Sequence, residues 1–292
     1  MHRRIIILGH SGFIGRQLER HLLKSGDGEV VGRSLSDIDL TDSRSAADLA
    51  SLFNLQTILV LAAAVKRQFG DTLDAFRKNM AIVENVCHAL KTNPVRRVIF
   101  LSSAAVYGEE AENLSINEQT AVSPTSFYGI AKYGGERLLI KTCADSEKTS
   151  LVSLRPPLVY GPGDESNTYG PVGFCAAAMA GRPITLWGDG TELREFIFIN
   201  DLCHLIGLLI ESEFSGELNV VSGTRHCFAD IVSILKGKFP SLEVTSRPRT
   251  RPKANNAFDA KRLKALVPPD YQFTSLANGL SQLLDHESIR KS

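Results

Sequence analysis

RIIILGHSGFIG, Arg4 to Gly15, runs an apolar stretch straight into a glycine turn and from there into a helical pattern. Arg4 to Leu8 predicts a buried strand, and Leu18, Leu22 and Leu23 predict one side of a helix reaching about Lys24. Strand, glycine turn and helix in that order suit a dinucleotide. The glycines allow a tight turn, close approach of a pyrophosphate to the backbone and close packing of helix on sheet, while the helix N-terminal amides carry the phosphate charge. The spacing is G-x-x-G-x-x-G, not the usual G-x-G-x-x-G, so the flanking strand and helix carry the reading. Gly9, Gly12, Phe13, Ile14 and Gly15 are the residues expected to meet the cofactor.

Outward from that turn the chain alternates. A second strand is expected at Glu29 to Val31 and a third element near Ile38 to Leu40. Thr57 to Ala63 is an almost unbroken apolar run, as in parallel strands covered on both faces. Met80, Val83, Val86, Cys87 and Leu90 follow helical spacing between Asn79 and Leu90, and Pro94 then breaks the chain before a strand at Arg97 to Leu101. A helix at Tyr128 to Cys143 and a strand at Ser150 to Leu154 follow, ending in the loop RPPLVYGPGD. The pattern is βαβαβ, which predicts an α/β, Rossmann-like doubly wound parallel sheet with a smaller α/β lobe. Beyond it Gly181 to Gly190 is turn-rich around Trp187, Asn200 to Ile210 and Phe228 to Lys236 read as helices, and Glu217 to Val221 as a strand. Ser246 to Lys253 is basic and proline-rich. We expect residues 1–164 and about 190–222 to form the nucleotide-binding domain, and about 165–189 and 223–292 the smaller lobe.

Thirty-three basic against thirty-two acidic residues in 292 leave a net charge of +1, which argues against nucleic acid as a partner. The apolar run in MHRRIIILG meets a glycine too soon for a signal-peptide core, and no stretch reads as a membrane span. The five cysteines lack metal-ligand spacing and are odd in number, so reduced thiols in a cytoplasmic protein are expected.

FYGIAK, Phe127 to Lys132, places a phenol and an ammonium four residues apart on one helix face. A cation beside Tyr128 favours its phenolate and makes it a better proton donor and acceptor near neutral pH. At the expected end of the second strand, Val31-Gly32-Arg33-Ser34 offers Arg33 where an NAD site usually has a carboxylate. NADP is therefore the expected cofactor, with NAD as the alternative.

Together these stretches resemble the extended short-chain dehydrogenase/reductase family, the NAD-dependent epimerase/dehydratase group that acts on nucleotide sugars. The likeness rests on Gly9, Gly12 and Gly15, on Asp39 in DIDLTD, on Leu61-Ala62-Ala63-Ala64, on Asn79 and on LSSAAVYG, Leu101 to Gly108. Tyr128, Lys132 and the segment LWGDGTELREFIFINDL, Leu186 to Leu202, complete it. The resemblance implies that Ser103 holds the substrate oxygen beside Ala104, with Ser102 its rival, that Tyr128 exchanges a proton, and that Lys132 binds the nicotinamide ribose. It places Asp39, Leu40, Leu61, Ala62, Ala63, Pro156 and Leu158 around the cofactor. Arg194 would pair with the diphosphate of a nucleotide sugar held by the smaller lobe, and Arg251 would add a phosphate contact. A homodimer would pair the helices near Asn79 to Leu90 and Tyr128 to Cys143.

Within the family the motifs are most similar to the GDP-fucose synthase-like reductases and epimerases, with three departures. Ala105 stands where those enzymes have a cysteine, no histidine occurs from Tyr160 to Arg194, and His10-Ser11 replace an arginine in the glycine turn. Ala104-Ala105 also excludes the Asp-Glu pair of a 4,6-dehydratase. The expected chemistry is reduction of a nucleotide-linked 4-keto sugar. The alternatives are 4-epimerisation on a retained NAD and a non-catalytic NAD(P)-binding role.

Overall fold

The computed structural model describes residues 3–26, 28–67, 70–108, 110, 112–146, 148–165, 169–250 and 252–291, with side chains described as far as residue 286. β1 (Arg4–Leu8) is buried on both faces and leads through the glycine turn into α1 (Phe13–Ser25). Leu18 and Leu22 face the core, but Leu23 is 61% exposed, because one residue further along a helix turns the side chain about 100° away from the buried stripe. β2 (Glu29–Arg33) runs two residues past the expected Val31, so Arg33 ends the strand. No third regular element forms at Ile38 to Leu40. There Asp39 accepts hydrogen bonds from the Thr41 N–H (2.9 Å) and hydroxyl (2.7 Å), an Asx-type turn that competes with regular structure.

α2 (Ser45–Leu52), β3 (Thr57–Leu61), α3 (Leu73–Thr92) and β4 (Arg97–Leu101) follow. α3 begins six residues before the expected Asn79 because the Thr72 hydroxyl caps it, accepting from the Ala75 N–H at 3.2 Å. After a 3-10 turn at Ala104–Tyr107 come β5 (Asn113–Ile116), α4 (Phe127–Ser146) and β6 (Ser150–Arg155). The remainder is β7 (Leu158–Tyr160), α5 (Pro171–Met179), β8 (Ile184–Trp187), β9 (Leu193–Arg194), β10 (Phe196–Phe198), α6 (Ile199–Glu211), β11 (Gly216–Asn219), β12 (His226–Cys227), α7 (Phe228–Lys238), β13 (Val244–Arg247), β14 (Asn256–Phe258), α8 (Lys261–Lys264) and α9 (Leu276–Lys291).

The main sheet has the order β11-β6-β4-β3-β1-β2, and every pair from β2 to β6 is parallel. This is the Rossmann-like doubly wound sheet that the βαβαβ pattern predicts. The chain leaves β1 toward β2 and returns to β3 on the other side, so the crevice at the carboxyl ends of β1 and β3 is the topological switch point where such sheets bind ligands. α3 and α4 cover one face of the sheet, over a core that includes Leu59, Val83, Val86, Val98, Phe100 and Leu139. α4 comes close because Gly135 leaves room: a Cβ there would stand 3.1 Å from the Phe100 ring.

Two compact units result. The first comprises Met1–Gly108, Ala121–Pro156 and Cys203–Leu218, the second Glu109–Thr120, Pro157–Leu202 and Asn219–Ser292. Residues 109–120, 157–164, 190–202 and 219–222, expected in the nucleotide-binding domain, fall in the second unit. β5 pairs there in parallel with β14, and β7 with β10. The turn-rich stretch around Trp187 also holds β8, which pairs with β13, the strand that ends in the basic segment. All five cysteines are free thiols, four of them buried. Among the described residues no helix is long and apolar enough to cross a membrane, and no cluster of three metal-ligating side chains occurs.

Candidate active site

The three glycines of the turn meet three different demands. Gly9 has φ +89°, and a Cβ on it would lie 2.7 Å from the Ala63 N and 2.8 Å from its Cα, so this turn fits against the end of β3 only without a side chain. A Cβ on Gly15 would fall 2.2 Å from the Gly9 carbonyl oxygen, which excludes any larger residue where α1 packs on the turn. Gly12 is unlike both. Its φ is −73°, open to any residue, and a Cβ would meet only the Gly9 oxygen, at 3.3 Å. Gly12 is also the N-cap of α1 and supplies no side-chain cap to the amides at Phe13, Ile14 and Gly15. A bare Cα at an ordinary φ, touched by a single backbone oxygen and set beside a helix N-terminus, is a cradle that a pyrophosphate fits. The residues present therefore suit a nicotinamide dinucleotide.

The strand ends around this cradle are fixed by backbone bonds. The Gly9 N–H donates to the Arg33 carbonyl at 2.7 Å and the Ala62 N–H to the Leu8 carbonyl at 2.9 Å. Arg33 is half-buried, and its guanidinium donates to the Gly32 carbonyl at 2.8 Å. The nearest following carboxylate, Asp37, folds back onto the Ser34 N–H (2.7 Å) and hydroxyl (3.1 Å), bonds that hold it below the usual carboxylate range. The end of β2 thus carries both the Arg33 guanidinium and, four residues on, the ionised Asp37 carboxylate. Leu40 is buried, its carbonyl held by the Asn85 amide at 2.9 Å, and Leu61 is fully buried. Asn79 clasps the Val65 peptide with both ends of its amide, at 2.8 and 3.1 Å, and so pins the loop that follows β3.

At the end of β4 the two neighbouring serines part company. Ser102 is buried and donates to Glu136 at 2.5 Å. Ser103 is only half-buried; it starts the 3-10 turn by accepting from the Ala105 N–H at 3.1 Å, while the Ala104 N–H is held by the Pro156 carbonyl at 2.9 Å. Ser103 is therefore the serine left partly exposed. α4 begins directly beneath this turn because Gly129 lets it: a Cβ there would stand 2.7 Å from the Ala105 oxygen. The Tyr128 N–H donates to Asp71 at 3.0 Å, which ties the first turn of α4 to the segment before α3.

Lys132 is 4% exposed. Its ammonium donates to the Leu101 carbonyl at 2.6 Å and lies 5.0 Å from the Phe100 ring centre and 5.7 Å from that of Tyr128. Burial pushes its pKa down to about 8, against the opposing pull of Glu136. Glu136 has no exposed surface and also accepts from two of the three Arg155 guanidinium nitrogens, Nε at 2.9 Å and Nη2 at 2.6 Å. Arg155 in turn donates to the Tyr107 hydroxyl at 2.8 Å. Burial alone would lower the Arg155 pKa, but the Glu136 carboxylate outweighs it and the pKa is raised. Sequence reasoning missed Glu136, Arg155 and Tyr107. Their signal was a carboxylate one helical turn after Lys132 and a charge at the end of the apolar run SLVSLR.

In the second unit Leu158 lies on β7 and is exposed. Arg194 is bound to Glu192 at 2.9 Å and to the Leu193 and Ala254 carbonyls at 2.7 and 2.6 Å. Arg249, from the basic segment, holds the other Glu192 oxygen at 2.8 Å, and Arg247 stacks 3.5 Å from the Trp187 ring centre. Neither arginine was singled out from sequence; Arg251, which was, lies outside the described residues.

A family model described as the NAD dependent epimerase/dehydratase family matches residues 5–221. GDP-L-fucose synthase of Escherichia coli is 30% identical over 218 residues, which cover 68% of this chain and 67% of that protein. A UDP-glucose epimerase of Bacillus subtilis, described as uncharacterised, is 27% identical across 95% of this chain and 96% of its own length. Among solved structures, a UDP-glucose 4-epimerase of Thermotoga maritima with UDP-glucose shares the fold at a TM-score of 0.86 and 20% identity, over 99% of this chain and 100% of that one. An NAD-dependent NDP-hexosamine 5,6-dehydratase of tunicamycin biosynthesis does so at 0.84 and 23% identity, over 99% and 98%.

Proposed function

The chain belongs to the NAD dependent epimerase/dehydratase family, and on that basis we propose that it reduces a nucleotide-linked 4-keto sugar, with Tyr128 as the proton donor. The observation that carries this reading is Lys132, a buried ammonium one helical turn from a half-buried tyrosine, with Ser103 at the end of the neighbouring strand. A bound nicotinamide cofactor supplies the hydride-transfer chemistry. Ser103 and Tyr128 hold the substrate oxygen, Tyr128 gives it a proton, and the Lys132 charge stabilises the phenolate left behind. Ala104 and Ala105 bring no acid or base to the turn. Dehydration or proton exchange beside the ketone needs such a group, so the chemistry is confined to one carbinol centre.

Arg33 supports NADP over NAD, since a guanidinium pairs with a 2′-phosphate where a carboxylate would repel it. Arg194 receives the substrate diphosphate, which would have to share its guanidinium with Glu192. The free thiols suit a reducing cytoplasm. A second reading, 4-epimerisation on a retained NAD, is favoured by the UDP-glucose epimerase relative.

Purified protein given 4-keto-6-deoxy nucleotide sugars should oxidise NADPH, and faster than NADH. Interconversion of C4 epimers without added cofactor, together with no NADPH oxidation, would replace the reductase reading with the epimerase one. Tyr128→Phe should lower turnover by about 10²- to 10⁴-fold, the usual contribution of a positioned acid, while cofactor binding persists. Unchanged turnover would mean that Tyr128 is not the proton donor.

A further inference from the structure

We propose that Glu136, through its ion pair with Arg155, is a positioning residue that fixes the strand end carrying Ser103 against α4 and keeps Lys132 in its ammonium form. The inference rests on the reading of Ser103, Tyr128 and Lys132 as the reacting set.

The geometry is a closed ring. Ser102, immediately before Ser103, donates to Glu136; Glu136 binds Arg155; Arg155 donates to Tyr107, the last residue of the turn that Ser103 starts. The segment that presents Ser103 is therefore clamped at both ends by one buried ion pair. Glu136 sits on α4 one turn beyond Lys132 and two beyond Tyr128, so the same carboxylate ties two separate elements into one register. A buried ion pair is a poor device for stability alone, because desolvation consumes most of the attraction and apolar side chains would serve as well. What such side chains would not supply is a negative charge beside Lys132. Around that ammonium lie Tyr128 and Glu136 from α4, and Phe100 and the Leu101 carbonyl from β4. Glu136 is the carboxylate that favours its charged form, and the Arg155 cation on β6 is paired with Glu136.

The test is the titration of Lys132, followed by NMR of the full chain carrying isotope-labelled lysine and assigned by loss of the signal in Lys132→Arg. In Glu136→Gln the midpoint should fall by about one pH unit or more, as removal of a close opposite charge does. Glu136→Asp should lie between that variant and the wild type. The alkaline limb of the turnover profile should move with it. An unchanged Lys132 midpoint in a folded Glu136→Gln would overturn the proposal. If that variant does not fold, Ser102→Ala keeps the ion pair and cuts one side of the clamp; kcat should fall about tenfold, within what a small misplacement costs, with the Lys132 midpoint unmoved. Wild-type kcat in Ser102→Ala would equally overturn it. The titration reads Glu136 whether or not the chain is a reductase, whereas Tyr128→Phe reads the reaction.

Discussion

Lys132 carries its charge where water does not reach it, and the structure shows both the cost and the support. A pKa lowered from 10.5 to about 8 by burial corresponds to about 3 kcal/mol. The folded value lies below the unfolded one, so below about pH 8 both states hold the proton and the cost is full. Between about 8 and 10.5 the unfolded chain binds more protons than the folded one, and this residue's effect on stability becomes less unfavourable as pH rises. Lys132→Met should therefore melt at a higher temperature than wild type at pH 7, by up to about 3 kcal/mol of stability, with the advantage shrinking toward pH 10. It should also abolish turnover. Calorimetry across that pH range checks the slope, and a variant less stable at pH 7 would mean that the Leu101 bond and the two ring contacts outweigh the buried charge. The same scale separates Ser102 from Ser103. They are neighbours in LSSAAVYG, and only the Glu136 carboxylate under the first shows which one is taken.

The glycine turn shows how one element can fold for two reasons. Gly9→Ala forces a residue with a Cβ into φ +89° and onto the Ala63 backbone. The left-handed conformation costs about 1–2 kcal/mol and overpacking about 1–3 more, so this variant should lose that much stability by denaturant titration. Gly12→Ala keeps an ordinary φ and meets one atom, the Gly9 oxygen at 3.3 Å, which must give by a few tenths of an ångström, so it should cost less stability than Gly9→Ala, about 1 kcal/mol or less. Its dinucleotide affinity should nonetheless fall at least tenfold. Equal effects of the two substitutions on stability would remove the argument that the bare Cα of Gly12 serves a ligand. α4 is the other such element, since Phe127, Ile130 and Leu138 are exposed along one stripe while Lys132, Glu136 and Leu139 are buried along another.

At the scale of the molecule, that exposed stripe is the surface on which the family resemblance leads us to expect a homodimer; in sedimentation the wild type should then run as a dimer and Ile130→Glu as a monomer with the fold intact. A monomeric wild type would refute it. Much of the architecture was legible in the sequence because it depends on local pattern: unbroken apolar runs make β1, β3 and β4, and a glycine turn between strand and helix makes the switch-point cradle. Tyr128 and Lys132 were legible for the same reason, as helical spacing brings them to one face. The partners joined across the sequence were not. Nothing near Glu136 announces Ser102, 34 residues earlier, or Arg155, 19 later, as the groups it holds. Nor does anything near Leu114 announce that β5 pairs with β14 in the second unit, because a strand's edge is satisfied by whatever backbone the fold delivers. The sequence by itself determined the doubly wound sheet, the glycine turn between β1 and α1 and the helical spacing that puts Tyr128 and Lys132 on one face. The tertiary structure decided which serine stands open, that the lysine is buried beside a carboxylate, and that Arg194 is already engaged, since burial and charge pairing are properties of neighbours in space.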